Sequence, residues 1–241
     1  MKIAKLFFLV LVLACFNCCT TPRVYVDDNL KSNATEYAVE GRQNPFNHTV
    51  RFGAFELTHV KRGWTTSSSS RGIFKTKEEA KNKMSFKIKY KLLEGETFTA
   101  SQAVQKGFDF GKIQMSDNSK DVFTGMIQMK DKTPWDFFVK NPNNLNWDDP
   151  STGYATDGDK RIEIRDIRKA AGKTPKLMVS TIFGYSLLYD KTPIAVVETI
   201  AGGKGSVWIK KGLDPDVEFV AANLAAALLL RPDLSSSMRQ Y

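Results

Sequence analysis

Cysteine is nearly missing from this chain of 241 residues: Cys15, Cys18 and Cys19 are all it has, and they sit together near the start. Everything after them has no thiol, which excludes a disulfide framework and a cysteine-ligated metal in the folded part. Histidine is as scarce. His48 and His59 are the only two, and neither stands beside a cysteine or a paired carboxylate at a ligand spacing. No Gly-x-Ser-x-Gly elbow occurs, and Ser67 to Ser70 read as a loop, not as a nucleophile site. Gly202-Gly-Lys-Gly-Ser206 resembles a phosphate loop, but Gly205 stands where that motif needs Ser or Thr, and a strand follows instead of a helix. The stretch is a turn. The sequence therefore points to a non-enzymatic protein with no cofactor.

Long apolar runs are also lacking. The longest opens a predicted helix at Asp214, an N-cap residue, with Pro215 at the first helical position and Asp216 and Glu218 in the first turn. From Val217 to Leu230 only Asn223 interrupts Ala, Leu, Val and Phe, and Arg231 and Pro232 end the run. A membrane span needs about 20 apolar residues, so this segment is too short to be one. It is also too apolar on all sides for a surface helix, and so it is expected inside a folded domain.

What is present at the other end is an export signal. Lys2 and Lys5 precede a short apolar stretch over 6–13, and Val12-Leu13-Ala14-Cys15 follows. That tetrapeptide resembles the lipobox of bacterial lipoproteins, departing from it at Leu13. The resemblance implies cleavage before Cys15, lipidation of its sulfur with palmitate-type acyl chains, and attachment to the cell envelope. Asn17 and Cys18 precede the other two cysteines and make them poorer candidates. Phe16 stands where an aspartate would mark inner-membrane retention, which favours the outer membrane. Residues 1–14 are then the signal, 15–35 a lipidated start and flexible tether, 36–232 one domain, and 233–241 a tail.

Charge is +9, with 35 basic against 26 acidic residues. Export removes nucleic acid as a partner and leaves anionic phospholipid, or another envelope protein, as what a basic surface would meet.

From residue 36 the pattern alternates with period two. Met84, Phe86, Ile88, Tyr90 and Leu92 take one face, and Ser85, Lys87, Lys89 and Lys91 the other. The lysines could form a headgroup-binding stripe; the plainer expectation is a solvated face that blocks edge pairing. Further strands are expected over 37–43, 49–61, 97–105, 110–115, 122–130, 135–140, 161–167, 177–189, 194–200 and 206–210, with a short helix over 77–82. Gly53 and Gly184 are expected to mark a bulge or tight bend. Ten to twelve strands and one apolar helix suit a closed antiparallel barrel around that helix. A lipocalin-like barrel or a β-sandwich with the helix outside fits the same elements, and would suit a carrier of a lipid or small hydrophobic ligand.

Phe183-Gly-Tyr-Ser-Leu-Leu-Tyr-Asp, Pro193-Ile-Ala-Val-Val-Glu, Gly202-Gly-Lys-Gly-Ser-Val-Trp-Ile and the terminal helix come in that order. Over 177–230 this resembles the C-terminal end of the tubby-like superfamily, which includes phospholipid scramblases and LURP-one-related proteins. The resemblance implies a twelve-stranded barrel closed around a hydrophobic C-terminal helix. Over 36–176 only strand number and spacing agree. The family's phosphoinositide-contacting and metal-binding positions match no residues here.

The loop from Asn146 to Asp159 carries Asp148, Asp149, Asp157 and Asp159, oxygen ligands of the kind calcium prefers, without EF-hand spacing. They are also ordinary turn residues. Trp64, Trp135, Trp147 and Trp208 are expected in the core, and His59 partly buried in a strand.

Overall fold

A computed structural model of the chain describes residues 22–42, 49–63, 82–102, 108–110, 113–115, 122–140, 152–174, 178, 181–200 and 205–231. A short helix α1 (Asp28–Asn33) precedes β1 (Ala34–Glu40), β2 (Val50–Phe52), β3 (Phe55–Arg62), β4 (Asn82–Tyr90) and β5 (Leu93–Gln102). A small hairpin, β6 (Phe108–Phe110) and β7 (Ile113–Met115), comes next. Then follow β8 (Val122–Met129), β9 (Trp135–Lys140), β10 (Thr152–Thr156), β11 (Arg161–Ile167), β12 (Gly184–Tyr189), β13 (Thr192–Glu198) and β14 (Ser206–Lys210). Helix α2 (Pro215–Leu230) ends the described chain.

Twelve of the strands form a closed antiparallel barrel, ordered as a meander from β1 to β5 and on from β8 to β14. The ring closes where β1 pairs with β14, Glu36 standing opposite Trp208. The separate hairpin of β6 and β7 lies against β9. No barrel strand is an edge.

Helix α2 stands inside. It packs on β5 and on β13, which lie six places apart in a ring of twelve and so face each other across the interior. Every residue from Phe219 to Leu230 is buried. At its start, Asp214 accepts hydrogen bonds from the amides of Asp216 and Val217, the cap that the sequence predicts. Along the helix, Phe219 comes so close to β5 that a Cβ at Gly95 would lie 3.0 Å from its ring. Glycine there lets strand and helix approach. Asn223, the one polar interruption, is fully buried. Its Oδ1 accepts from Thr97 Oγ1 at 2.8 Å, and its Nδ2 donates to the Phe219 carbonyl, also at 2.8 Å.

This pairing yields a testable stability effect. Asn223→Ala leaves the buried Thr97 hydroxyl without its acceptor and should cost about 1–3 kcal/mol. Adding Thr97→Val removes the stranded hydroxyl, so the double variant should be less destabilised than the two single losses added together. Urea unfolding of the four proteins measures the coupling; additive losses would show that the bond contributes nothing of its own.

The enclosed helix settles the architecture as the filled barrel and corrects the alternatives with a helix outside. Several boundaries differ from expectation. The stretch 49–61 is two strands, because Gly53 takes φ +59° and turns the chain in two residues instead of bending one strand. The stretch 110–115 is split between β6 and β7. Strand β4 ends at Tyr90, so Leu92 lies in the turn, wholly exposed, not on the inner face with Met84, Phe86, Ile88 and Tyr90. His59 is exposed, with φ +54°, where the pairing of β3 with β4 shifts register. Trp135 faces the barrel core, whereas Trp208 joins a second cluster outside it. Trp64, Trp147, His48 and residues 77–81 of the expected short helix lie outside the described residues; residue 82 opens β4.

The chain expected to be a tether is packed from residue 22. Val24 bridges to Ala170, the amide of Tyr25 donates to the Lys169 carbonyl at 2.9 Å, and α1 follows. Val24, Val26 and Leu30 bury themselves with Phe183, Val196 and Trp208 against the outside of β13 and β14. Val24, Val26 and Leu30 are the only aliphatic residues among the twelve from 22 to 33, too few for a periodic signal, yet they suffice to hold the strap down.

Candidate functional site: the outer wall and the two ends

With the interior filled by α2, side chains that could meet a partner lie on the wall or at the ends. The wall between β1 and β5 carries charges of alternating sign. Glu40 stands opposite Arg51, Arg51 opposite Glu56, Glu56 opposite Lys89, and Lys89 opposite Glu94. Arg51 Nη2 reaches Glu56 Oε1 at 2.6 Å, and Lys89 Nζ is 3.8 Å from Glu94 Oε1. Lys87 likewise faces Glu96. Opposite charges on adjacent strands favour this register by a few tenths of a kcal/mol per pair.

The lysine stripe therefore does not exist as a basic surface. Acidic residues on the neighbouring strands flank Lys87 and Lys89. Lys91 lies in the turn with φ +54°, its Nζ 4.5 Å above the Tyr90 ring. Nor does the stripe guard an edge, since β4 is paired on both sides. A charged wall outside and an apolar core inside are the reverse of a barrel that sits in hydrocarbon. No described helix is long and apolar enough to cross a membrane.

The acidic loop is not one loop. Strand β10 runs through it, pairing Tyr154 with Phe138 on one side and Glu163 on the other. Its turn-forming neighbours masked it in the sequence, where only Tyr154-Ala-Thr156 hinted at a strand. Asp148 and Asp149 lie outside the described residues, and Asp157 and Asp159 follow the end of β10. Asp157 Oδ1 already accepts from the amides of Asp159 and Lys160, closing the turn. Among the described residues no group of three or more His, Cys, Asp or Glu is placed to hold a metal.

Two polar features, a half-buried arginine and a buried carboxylate, mark the end at which α2 finishes. Arg42, just past β1, donates from Nε to the Leu229 carbonyl at 3.0 Å and from Nη2 to the Thr199 carbonyl at 2.9 Å. A cation on the last helical carbonyls suits the negative end of the helix dipole. Burial pulls this guanidinium below its ordinary range, and nearby Glu198 only partly opposes that. Its Nη1 is buried without a hydrogen-bond partner among the described residues.

Glu198 is the second feature. Its carboxylate is almost wholly buried. It receives Arg23 Nε on both oxygens, at 3.0 and 3.1 Å, and the Val24 amide at 3.0 Å. Arg23 also reaches Glu36 at 2.7 Å and Ser206 at 3.0 Å, and its guanidinium lies 5.3 Å from the Trp208 ring. One arginine thus fastens the strap to β13, β1 and β14. Sequence reading singled out neither Arg23 nor Glu198. They are 175 residues apart, and only the closed ring brings them together.

Cys15, the predicted lipidation site, lies outside the described residues, as do Cys18 and Cys19. Neither a family model, nor a curated protein, nor a solved structure matches this chain.

Proposed function

We propose that the chain is a lipid-anchored protein of the bacterial cell envelope, with a tubby-like barrel that binds or scaffolds through its surface and performs no catalysis. The observation that carries this is the enclosed helix: Phe219 to Leu230 take up the interior that a carrier would keep for its ligand. What remains available is outer surface, and a surface function suits a domain fixed beside a membrane. The anchor is Cys15, behind Val12-Leu13-Ala14 and a basic-then-apolar start. Phe16, where an aspartate would mark inner-membrane retention, favours the outer membrane. Each buried CH₂ contributes about 0.8 kcal/mol, so several acyl chains on one cysteine hold far more firmly than a single chain.

Cys15→Ala tests the anchor. Labelling by a fatty-acid analogue should disappear and the protein should leave the membrane fraction. Unchanged labelling in that variant would move the assignment to Cys18 or Cys19.

A further inference from the structure

We infer that the end of the barrel carrying its long connections faces the membrane, and that its basic rim binds anionic phospholipid headgroups. This rests on the anchor at Cys15. In an antiparallel meander, successive connections alternate between the two ends. Here the alternation sorts them by length. The turns at 53–54, 91–92, 130–134, 157–160 and 190–191 share one end, with the start of α2. The strand ends joined through 41–49, 63–81, 103–121, 141–151, 168–183 and 199–205 share the other, with Arg231.

The two ends differ in charge. We count the last two residues of each strand and of α2, with the described residues of the connections, leaving out β2 because it has only three residues. Among these, the long-connection end carries nine basic residues against four acidic ones, Glu40, Asp109, Asp166 and Glu198. The short-turn end carries nine of each. Asp166 and Glu198 already pair with Arg168 and Arg23. Lys61, Arg62, Lys169 and Lys173 are exposed. The basic excess of the described barrel therefore lies at one end.

The chain leading to Cys15 leaves from that same end. Arg23 is held by Glu198, the last residue of β13, and Val24 by Ala170, just beyond β11. Both strands finish at the long-connection end. Six residues lie between Cys15 and Pro22, seven chain steps with a reach of at most about 25 Å. Charges interact strongly only within about 8–10 Å at physiological salt. The tether is therefore short enough to bring the rim to the headgroups and long enough to leave orientation to the charges. Anionic lipid supplies the complementary surface.

The test uses the full lipidated protein in vesicles of phosphatidylcholine alone and of phosphatidylcholine with about one part in four phosphatidylglycerol. Acylation of individual lysines is followed by mass spectrometry. In the anionic vesicles Lys61, Lys169 and Lys173 should react several-fold more slowly than Lys130, Lys191 and Lys211 at the opposite end, and high salt should remove the difference. Each charge reversal among Lys61→Glu, Arg62→Glu, Lys169→Glu and Lys173→Glu should weaken the protection about fivefold or more. Reversing Lys87 and Lys89, flanked by acidic neighbours, should leave it unchanged. Protein that sediments with the vesicles but shows equal reactivity at both ends would overturn the inference and leave the anchor standing. Failure to sediment with either vesicle would overturn the anchor itself. Equal protection in neutral vesicles would overturn headgroup recognition. Protection in native membranes but not in anionic vesicles would replace lipid with a protein partner.

Discussion

Single aspartates placed through positions 219–230 are expected to abolish folding at nearly every position. All twelve residues are buried, and α2 is flanked by β5 on one side and β13 and β14 on the other, so none of its faces meets water. An unpaired carboxylate there loses its hydration without gaining a partner, a cost of several kcal/mol, comparable with the whole stability of many domains. Ala225→Asp is the sharpest case, because the site holds only a methyl group and the larger side chain must also displace its neighbours. Milder changes grade the effect: Leu224→Ala and Leu228→Ala should each cost about 2–5 kcal/mol. Circular dichroism and urea midpoints across the scan measure it. Tolerance recurring every three to four residues would mean that one face of the helix meets solvent, and the enclosed arrangement would be wrong.

The second large effect is expected at Arg23→Ala. This substitution leaves Glu198 buried, with the Val24 amide as its remaining hydrogen-bond donor among the described residues and the Arg42 guanidinium nearby. Removing one partner of a buried pair costs about 3–5 kcal/mol, and the half-exposed position of Arg23, where water can enter, lowers the figure to about 2–4 kcal/mol. The loss should be local. Amides of the strap from Tyr25 to α1 should exchange freely while the barrel strands stay protected. Equal loss of protection in β4 and β5 would instead make the pair a global element of the fold. Acid should act on the same contact. Burial by itself would raise the Glu36 carboxyl, but hydrogen bonds from Arg23 and Ser206 outweigh it and hold the group below its ordinary value of 4.5. Its contribution is therefore full above that value and is lost as pH falls through the depressed one. The wild-type strap should loosen under acid, and Arg23→Ala should show a smaller acid dependence.

Much of the fold was legible in the sequence because burial imposes a period. Met84, Phe86, Ile88 and Tyr90 alternate because β4 has a wet face and a dry one, and α2 is apolar all round because it has no wet face. Arg161–Ile167 has the expected bounds for the same reason, and Trp135–Lys140 and Ser206–Lys210 have theirs although both are buried along nearly their whole length. What stayed hidden depends on contacts between distant parts of the chain. Lys87 and Lys89 look like a basic stripe until β3 and β5 bring Glu56, Glu94 and Glu96 beside them. Strand β10 is short and set among turn residues, so pairing with β9 and β11, not local preference, makes it extended. The strap offers only three apolar anchors. The charge difference between the ends is invisible along the chain, since basic residues there come from nearly every segment and collect only when alternate connections gather at one end.

The pairing of β1 with β14 also governs the order of events during biosynthesis. The first strand made waits for the last, and the ring can close only around a helix that leaves the synthetic machinery later still. Joining such distant segments means closing a very long loop, which slows folding more than it weakens the product. Until then β1 has one unpaired side and the apolar inner wall lies open, a state prone to association with other chains. An exported copy would pass through that interval outside the cytoplasm. The finished barrel hides its sticky parts well, so its vulnerable period is its assembly.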